Sequence, residues 1–423
     1  MSLLIIIFIT GYLLITLEQK TAINKAAVAL ITGVLCWTIY LLNSNDPHLV
    51  PTQLMEHLGE IAGILFFLLG AMTIVELIDA HDGFHIVSRI IKTSDKRKIL
   101  WIVSFITFFL SAVLDNLTTT ILIGSILKTL IKDKNDRWFF LGMVVIAANA
   151  GGAWSPIGDV TTTMLWVGGQ LTSKNIILKL FLPSLVCLLV PLLAISFKMK
   201  GKTERSLVVF SEQSLNSVNA FQRNLIFFCG IAILVLIPVF KSVTHLPPFM
   251  GMLLGLGLLW VISELIHKDK DTADKDVLSV AYALRKIDVP SILFFLGILI
   301  AVAALQSAGE LTQLATCLDN HLPHQNFIVM IIGLCSAIVD NVPLVAACIG
   351  MYDLNHFPTD HTFWEFIAYC TGTGGSVLVI GSAAGVAAMG MERITFSWYL
   401  KKISWLALIG YLAGAVVYIF VFS

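Results

Sequence analysis

The chain is 423 residues long, 57% apolar and only 13% charged, about half the charged share of an ordinary soluble domain, which excludes a soluble globular protein. Its 27 basic and 27 acidic side chains balance, which excludes a nucleic-acid binder held by bulk charge. Apolar runs of roughly 17 to 25 residues recur, the length that crosses hydrocarbon as a helix, so the class is an all-α polytopic membrane protein.

In chain order, the apolar periods predict spans over 3–17, 22–42, 59–79, 99–114 with 117–131, 137–168, 174–197, 222–240, 247–267, 290–308, 325–339 with 342–351, 363–391 and 399–422. The first segment lacks a basic n-region and an Ala-x-Ala cleavage pattern, so it reads as a retained helix and not a leader. Stretches 46–58 and 272–287 alternate polar and apolar residues at helical spacing and read as interfacial helices. His81 and His85 fall between a span and the next apolar pair and read as a solvated face. Seven cysteines include no Cys-x-x-Cys pair, so they read as small buried hydrophobes.

The chain repeats itself. Ser111-Ala-Val-Leu-Asp-Asn returns as Ser336-Ala-Ile-Val-Asp-Asn 225 residues later. Leu65-Phe-Phe-Leu-Leu-Gly70 answers Leu293-Phe-Phe-Leu-Gly297, and Gly151-Gly-Ala-Trp-Ser-Pro-Ile-Gly158 answers Gly374-Gly-Ser-Val-Leu-Val-Ile-Gly381, in the same order. This predicts a first repeat over 1–200, a polar linker over 201–221 and a second repeat over 222–423. Repeats broken at corresponding places are a signature of secondary transporters.

Basic residues set the direction. Arg89, Lys92, Lys96, Arg97 and Lys98 precede the first Asp-Asn segment and Lys128, Lys132, Lys134 and Arg137 follow it. Both flanks therefore read as cytoplasmic, and 97–132 reads as a re-entrant helical hairpin. Leu311 to Glu392 contains no Lys or Arg, so the second hairpin, 325–352, enters from outside. Two hairpins and ten crossings then place both termini outside, leaving Lys174, Lys179 and Lys241 as the outer basic residues. Each half has five crossings, an odd number, so the repeats are inverted.

Four polar breaks converge in such a fold: the hairpin tips at Asp115-Asn116 and Asp340-Asn341, and two interruptions of crossing helices 137–168 and 363–391. The interruptions are Asn149 to Thr163, and Thr371 to Ser376 continuing to Ser382. Gly and Pro there expose backbone groups, tolerable at membrane depth only where protein or a ligand satisfies them. Carbonyls, carboxylates, amides and hydroxyls together form a hard oxygen cage suited to a small alkali cation. The breaks hold three acids, Asp115, Asp159 and Asp340, and no basic residue, which favours a cation over an anion. A carboxylate in a poorly solvated site is also a proton site, so protons and cations compete for it. An aspartate at a helix start can instead be an N-cap, an alternative with most weight at Asp340, where Pro343 follows. The threonines after Asp159 can likewise bond to their own helix. No His-rich metal cluster, Ser-His-Asp set or nucleotide loop appears, so the chain reads as a transporter and not an enzyme.

Ser111 to Thr120, Asn149 to Thr163 and Ser336 to Pro343 resemble the NhaD-type sodium/proton antiporters of the ion transporter superfamily. The resemblance implies a bacterial inner-membrane homodimer with a scaffold and a mobile transport domain. It exchanges Na+ or Li+ for H+ and has no cofactor. Its functional polar residues fall on Asp115, Asn116, Thr118, Asn149, Ser155, Asp159, Thr161, Thr162, Ser336, Asp340, Asn341 and Ser376, with the Na+ ligands at Asp115, Asn116, Asp159, Asp340 and Asn341. Wider relatives, including sodium/dicarboxylate carriers, have a neutral residue at the hairpin tips, so the alternative is a sodium-coupled carrier of a dicarboxylate or other anion.

Overall fold

The structure is a computed structural model and describes residues 3–44, 46–85, 87, 91–203, 218–268, 276–321 and 324–422. Among them all extended regular structure is helical; Asp95 and Lys202 form an isolated antiparallel bridge. Apart from a single turn at Glu18–Thr21, the helices in order are α1 Leu3–Thr16, α2 Lys25–Asn43, α3 Leu49–Ala80, α4 Lys96–Leu114, α5 Asn116–Leu130, α6 Lys134–Ala153, α7 Val160–Val167, α8 Ser173–Ser196, α9 Ala220–Thr244 and α10 Pro248–Ile266. They continue as α11 Val280–Lys286, α12 Val289–Ser307, α13 Glu310–His321, α14 Gln325–Cys335, α15 Asn341–Met351, α16 Thr362–Gly374, α17 Ala383–Glu392, α18 Phe396–Lys402 and α19 Ser404–Phe422. Eight of these, α2, α3, α4, α8, α9, α10, α12 and α19, are long and apolar enough to cross a bilayer. The protein is a multi-pass membrane protein.

The starts of these helices are written in their caps. Asn24 accepts from Ala26 N, Asp95 from Lys98 N, Asp133 from Asp136 N and Thr172 from Asn175 N. Asn219 and Gln222 form a reciprocal capping box on α9. Each cap satisfies an N–H that the helix itself leaves unpaired.

Helix α2 lies along α12, α3 against α10, and α9 against α10; α4, α5 and α8 pack on α6, and α8 along α19. The α2/α12 seam is tight, since a Cβ on Gly33 would stand 2.7 Å from the Gly297 carbonyl oxygen. Small residues let backbones approach in this way where lipid offers no hydrophobic contrast.

Two expectations change. The stretch 46–58 is not a separate interfacial helix: from Leu49 it is the beginning of α3, whose 32 residues reach about 48 Å at ~1.5 Å per residue. Pro51 sits in the first turn, where proline is tolerated, and Gly59 does not interrupt the helix. His81 is fully buried, not solvated. Its Nδ1 bonds to the Leu77 carbonyl at 2.7 Å, and its ring centre lies 5.0 Å from that of His267 at the end of α10. The covering helix comes from the other half of the chain, beyond the reach of local pattern. Most of the predicted linker, and residues 272–275, lie outside the described residues.

Candidate functional site

The polar breaks predicted from sequence are real interruptions. Helix α4 ends at Leu114 and α5 begins at Asn116, with Asp115 between them at φ 79° and ψ 160°, a region that essentially only glycine occupies and that costs a side-chain residue about 1–3 kcal/mol. Asp115 caps α5: its carboxylate accepts from Thr118 N and from the Thr118 hydroxyl, both at 2.8 Å. Helix α6 stops at Ala153, and the chain turns through Trp154 to Gly158 before Asp159 caps α7, accepting from Thr161 N at 2.9 Å and the Thr161 hydroxyl at 2.8 Å. Asp340 caps α15 by accepting from Val342 N at 3.2 Å, and Ser382 caps α17. All three aspartates are therefore helix N-caps. A carboxylate also suits the partial positive charge of a helix start, so capping gives each acid a place at a break without excluding a ligand.

Contacts around the breaks recur at matching sequence spacing. The Ser111 hydroxyl donates to Ala148 O at 2.7 Å, and its counterpart Ser336 donates to Thr371 O at 3.2 Å. A Cβ on Gly151 would meet Phe108 O at 2.2 Å and one on Gly374 would meet Gly333 O at 2.0 Å, so both breaks need glycine for backbone to touch backbone. The capping residues Asp159 and Ser382 share nearly one conformation, φ −146°, ψ 147° against φ −141°, ψ 154°. The flanks of each Asp-Asn segment also meet. Lys96 and Asp136 form an ion pair at 2.5 Å, and the Tyr352 hydroxyl donates to Asp319 at 2.9 Å.

Asp159 is the hub. It is 2% exposed, and its Oδ2 accepts from Asn116 Nδ2 at 2.6 Å while Oδ1 accepts from Asn341 Nδ2 at 3.5 Å. One carboxylate thus receives an amide from each Asp-Asn segment. Asn116 also donates to Asn149 Oδ1 at 3.0 Å, and Asn149 donates to the Ser382 hydroxyl at 2.9 Å, so all four breaks join one buried network. A cavity of about 90 Å³ is lined by Asp115, Asp159 and Asp340 together with Asn116, Thr118 and Asn341. Among the described residues no three His, Cys, Asp or Glu side chains converge closely enough to hold a metal ion. The three acids border a shared space from separate caps, and a cation there would draw on amide, hydroxyl and carbonyl oxygens as well.

Other expected site residues do different work. Ser155 donates to Ala112 O at 2.5 Å, Ser336 to Gly333 O at 2.6 Å and Ser376 to Thr373 O at 2.5 Å; these hydroxyls pin the breaks and do not border the cavity. Thr162 bonds to Asp159 O at 2.9 Å, the self-bonding alternative, whereas Thr161 serves the Asp159 carboxylate. Sequence reasoning missed Lys25. It lines the same cavity, and its Nζ lies 3.6 Å from Asp340 Oδ2, so a basic residue does stand beside the acids. A lone lysine at a span boundary looked like a flank, and only the packing of α2 beside α12 brings it inward.

The small cavity shares Met72, Val75, Leu117 and Thr118 with a larger one of about 370 Å³, lined by Glu76, Asp79, Lys286 and Asp288. Lys286, on α11, is 3.7 Å from Glu76. Desolvation works against its charge, yet a hydrogen bond with Tyr282 and the Glu76 and Asp79 carboxylates outweigh this and hold its ammonium above the usual lysine range.

A family model described as citrate transporter matches residues 6–364. Sodium/proton antiporter 1 of Arabidopsis thaliana is 47% identical over 98% of this chain and 71% of its own length, and sodium/proton antiporter 2 of the same plant is 44% identical over 98% of both. The Na(+)/H(+) antiporter NhaD of Alkalimonas amylolytica is 32% identical over 98% of this chain and 89% of its own. With similarity running the length of the chain, the protein belongs to the citrate-transporter family and, within it, to the NhaD-type sodium/proton antiporters.

Proposed function

We propose that the protein is a secondary transporter that exchanges Na+ (or Li+) for H+ across the membrane. The observation that carries the reading is Asp159, a carboxylate buried at a helix break and held by amides from both Asp-Asn segments. Such a group binds either a small hard cation or a proton, and that competition is sufficient for antiport provided the empty site does not cross. The same competition extends to Asp115 and Asp340 on the cavity wall, with Asn116 and Asn341 completing the Na+ ligands. Thr118 and Thr161 orient two of the carboxylates, Asn149 ties the amides together, and Ser155, Thr162, Ser336 and Ser376 hold the broken backbone.

The reading includes two inverted repeats, 1–200 and 222–423, joined by the linker 201–221. Each has a re-entrant hairpin, about 97–132 and 325–352, and a broken helix, about 137–168 and 363–391. The meeting of Lys96 with Asp136 and of Tyr352 with Asp319 supports segments that return to the side they came from. The paired serine and glycine contacts support the repeat. Alternating access then moves the hairpins and broken helices as a transport domain against a scaffold containing α2, α3, α10 and α12. Charge asymmetry supports both termini on the outer side, and the NhaD-type resemblance implies a homodimer in a bacterial inner membrane. A sodium-coupled carrier of a dicarboxylate is the weaker reading, since three carboxylates facing one ammonium make the cavity net acidic.

The test is dye dequenching in everted vesicles acidified inside. Sodium added to wild-type vesicles releases the quench, and Asp159→Asn abolishes that response. Wild-type vesicles that ignore Na+ and Li+ while taking up labelled dicarboxylate overturn the reading.

A further inference from the structure

Lys25 occupies an unfavourable place for a cation. It opens α2, where the helix dipole opposes positive charge, and its own backbone N–H goes to Glu18 Oε1 at 3.0 Å. Its ammonium lies 4.3 Å from the centre of the Phe294 ring on α12 and 3.6 Å from Asp340 Oδ2. The other Asp340 oxygen, Oδ1, is committed to capping α15. Tyr12 of α1 is the further titratable neighbour of Asp340. The lysine and aspartate side chains are 31% and 24% exposed, and both face the cavity that Asp115 and Asp159 line. At 3.6 Å the pair lies beyond hydrogen-bond length, so a mobile cation can separate it. It also bridges α2 to the tip between α14 and α15, two elements that meet through α12, which packs on both α2 and α15.

We infer that Lys25 is the resident counter-cation of the transport site, a tethered ammonium that occupies Asp340 when no transported cation is bound and must be displaced when one binds. The inference rests on the antiport reading of the same cavity. Lys25 sets the apparent affinity for the incoming cation, because Na+ has to compete with it for Asp340. It also keeps the empty site from holding an uncompensated acid, and it latches the α14/α15 tip to α2 until a cation arrives. Lys25 is a positioning residue acting through Asp340.

The experiment compares wild type, Lys25→Met, Lys25→Arg, Asp340→Asn and the Lys25→Met/Asp340→Asn double variant as full-length protein. Half-saturating Na+ is read from dequenching in everted vesicles and from Na+-dependent thermal stabilisation of purified protein, which needs no turnover. Lys25→Met lowers half-saturating Na+ about fivefold, equivalent to about 1 kcal/mol, the size of a partly exposed ion pair, while Lys25→Arg stays within about twofold of wild type. In the Asp340→Asn background Lys25→Met changes nothing. If Lys25→Met alone accumulates poorly, Lys25→Gln removes the charge in its place and is held to the same expectation. Half-saturating Na+ that is unchanged or raised in Lys25→Met overturns the inference, as does an equal effect with and without Asp340. Wild-type protein that shows no Na+ response in either assay instead removes the antiport reading itself, so the two failures are distinct.

Discussion

Replacing Asp159 separates folding from function because the two available substitutions break different things. In Asp159→Asn the retained oxygen still accepts from Thr161 N and its hydroxyl. The new amide faces Asn116 Nδ2, but Asn116 and Asn149 can turn their amides in sequence, since the chain ends on the Ser382 hydroxyl, which donates or accepts. The folding cost is then about 1 kcal/mol, that of one weakened hydrogen bond. In Asp159→Ala the cap is lost, at about 1 kcal/mol, and the Asn341 amide and Thr161 hydroxyl are stranded in a buried site at about 1–3 kcal/mol each, so the total is about 3 kcal/mol or more. Cation binding falls in both. At roughly 2.4 Å, a hard cation–oxygen distance, two unit charges at an effective dielectric of ~20 attract by about 7 kcal/mol. Half of that is already more than two orders of magnitude in affinity. Tm of purified protein and dequenching in everted vesicles should therefore diverge: Asp159→Asn keeps a Tm near wild type without Na+ response, and Asp159→Ala loses both. Wild-type-like Na+ dependence in Asp159→Asn would refute the assignment of Asp159 as the hub.

Asp115→Gly relieves the positive φ at the hairpin tip, so Tm should hold or rise while Na+-dependent dequenching disappears; retained exchange would show that the carboxylate is only a cap. Gly151→Ala drives a Cβ to within 2.2 Å of Phe108 O, and loss of folded protein by fluorescence-detected size exclusion is the expected outcome. Arg137 donates to Glu392 Oε2 at 3.0 Å and to two backbone carbonyls, and Glu392 is 5% exposed at its side chain. Arg137→Ala leaves that acid unpaired and should cost about 3–5 kcal/mol, read as a fall in Tm that Arg137→Ala/Glu392→Gln partly recovers. Lys286 has a raised pKa in the folded protein, so its charge and the contact it contributes persist below its free value and are lost only as pH rises through the raised one. Lys286→Gln should thus lower half-saturating Na+ equally at every pH from about 7 to 9, by making the larger cavity more acidic. About 1 M choline chloride should erase the effect, because the screening length is then ~3 Å.

The sequence by itself determined the class and the places where polar residues interrupt the helices. Apolar length marks the spans because every backbone group must be satisfied inside hydrocarbon; the caps at Asn24, Asp95, Asp133 and Asn219 are short-range signals that apolar length does not use. Asp115, Asp159 and Asp340 stood out because an acid in an apolar run is rare whatever the fold. What tertiary structure decided is which atoms meet. Nothing local says that Asn116 and Asn341, 225 residues apart, both donate to Asp159, that Ser336 and Ser376 turn to backbone carbonyls, or that His81 is buried against His267. Lys25 is the sharpest case. By sequence it is a flanking lysine like several others, and it becomes part of the site only because α2 packs along α12 at glycine distance, bringing its first residue beside the Asp340 tip. Burial and partner choice come from packing between distant segments, and no periodicity within one segment records them.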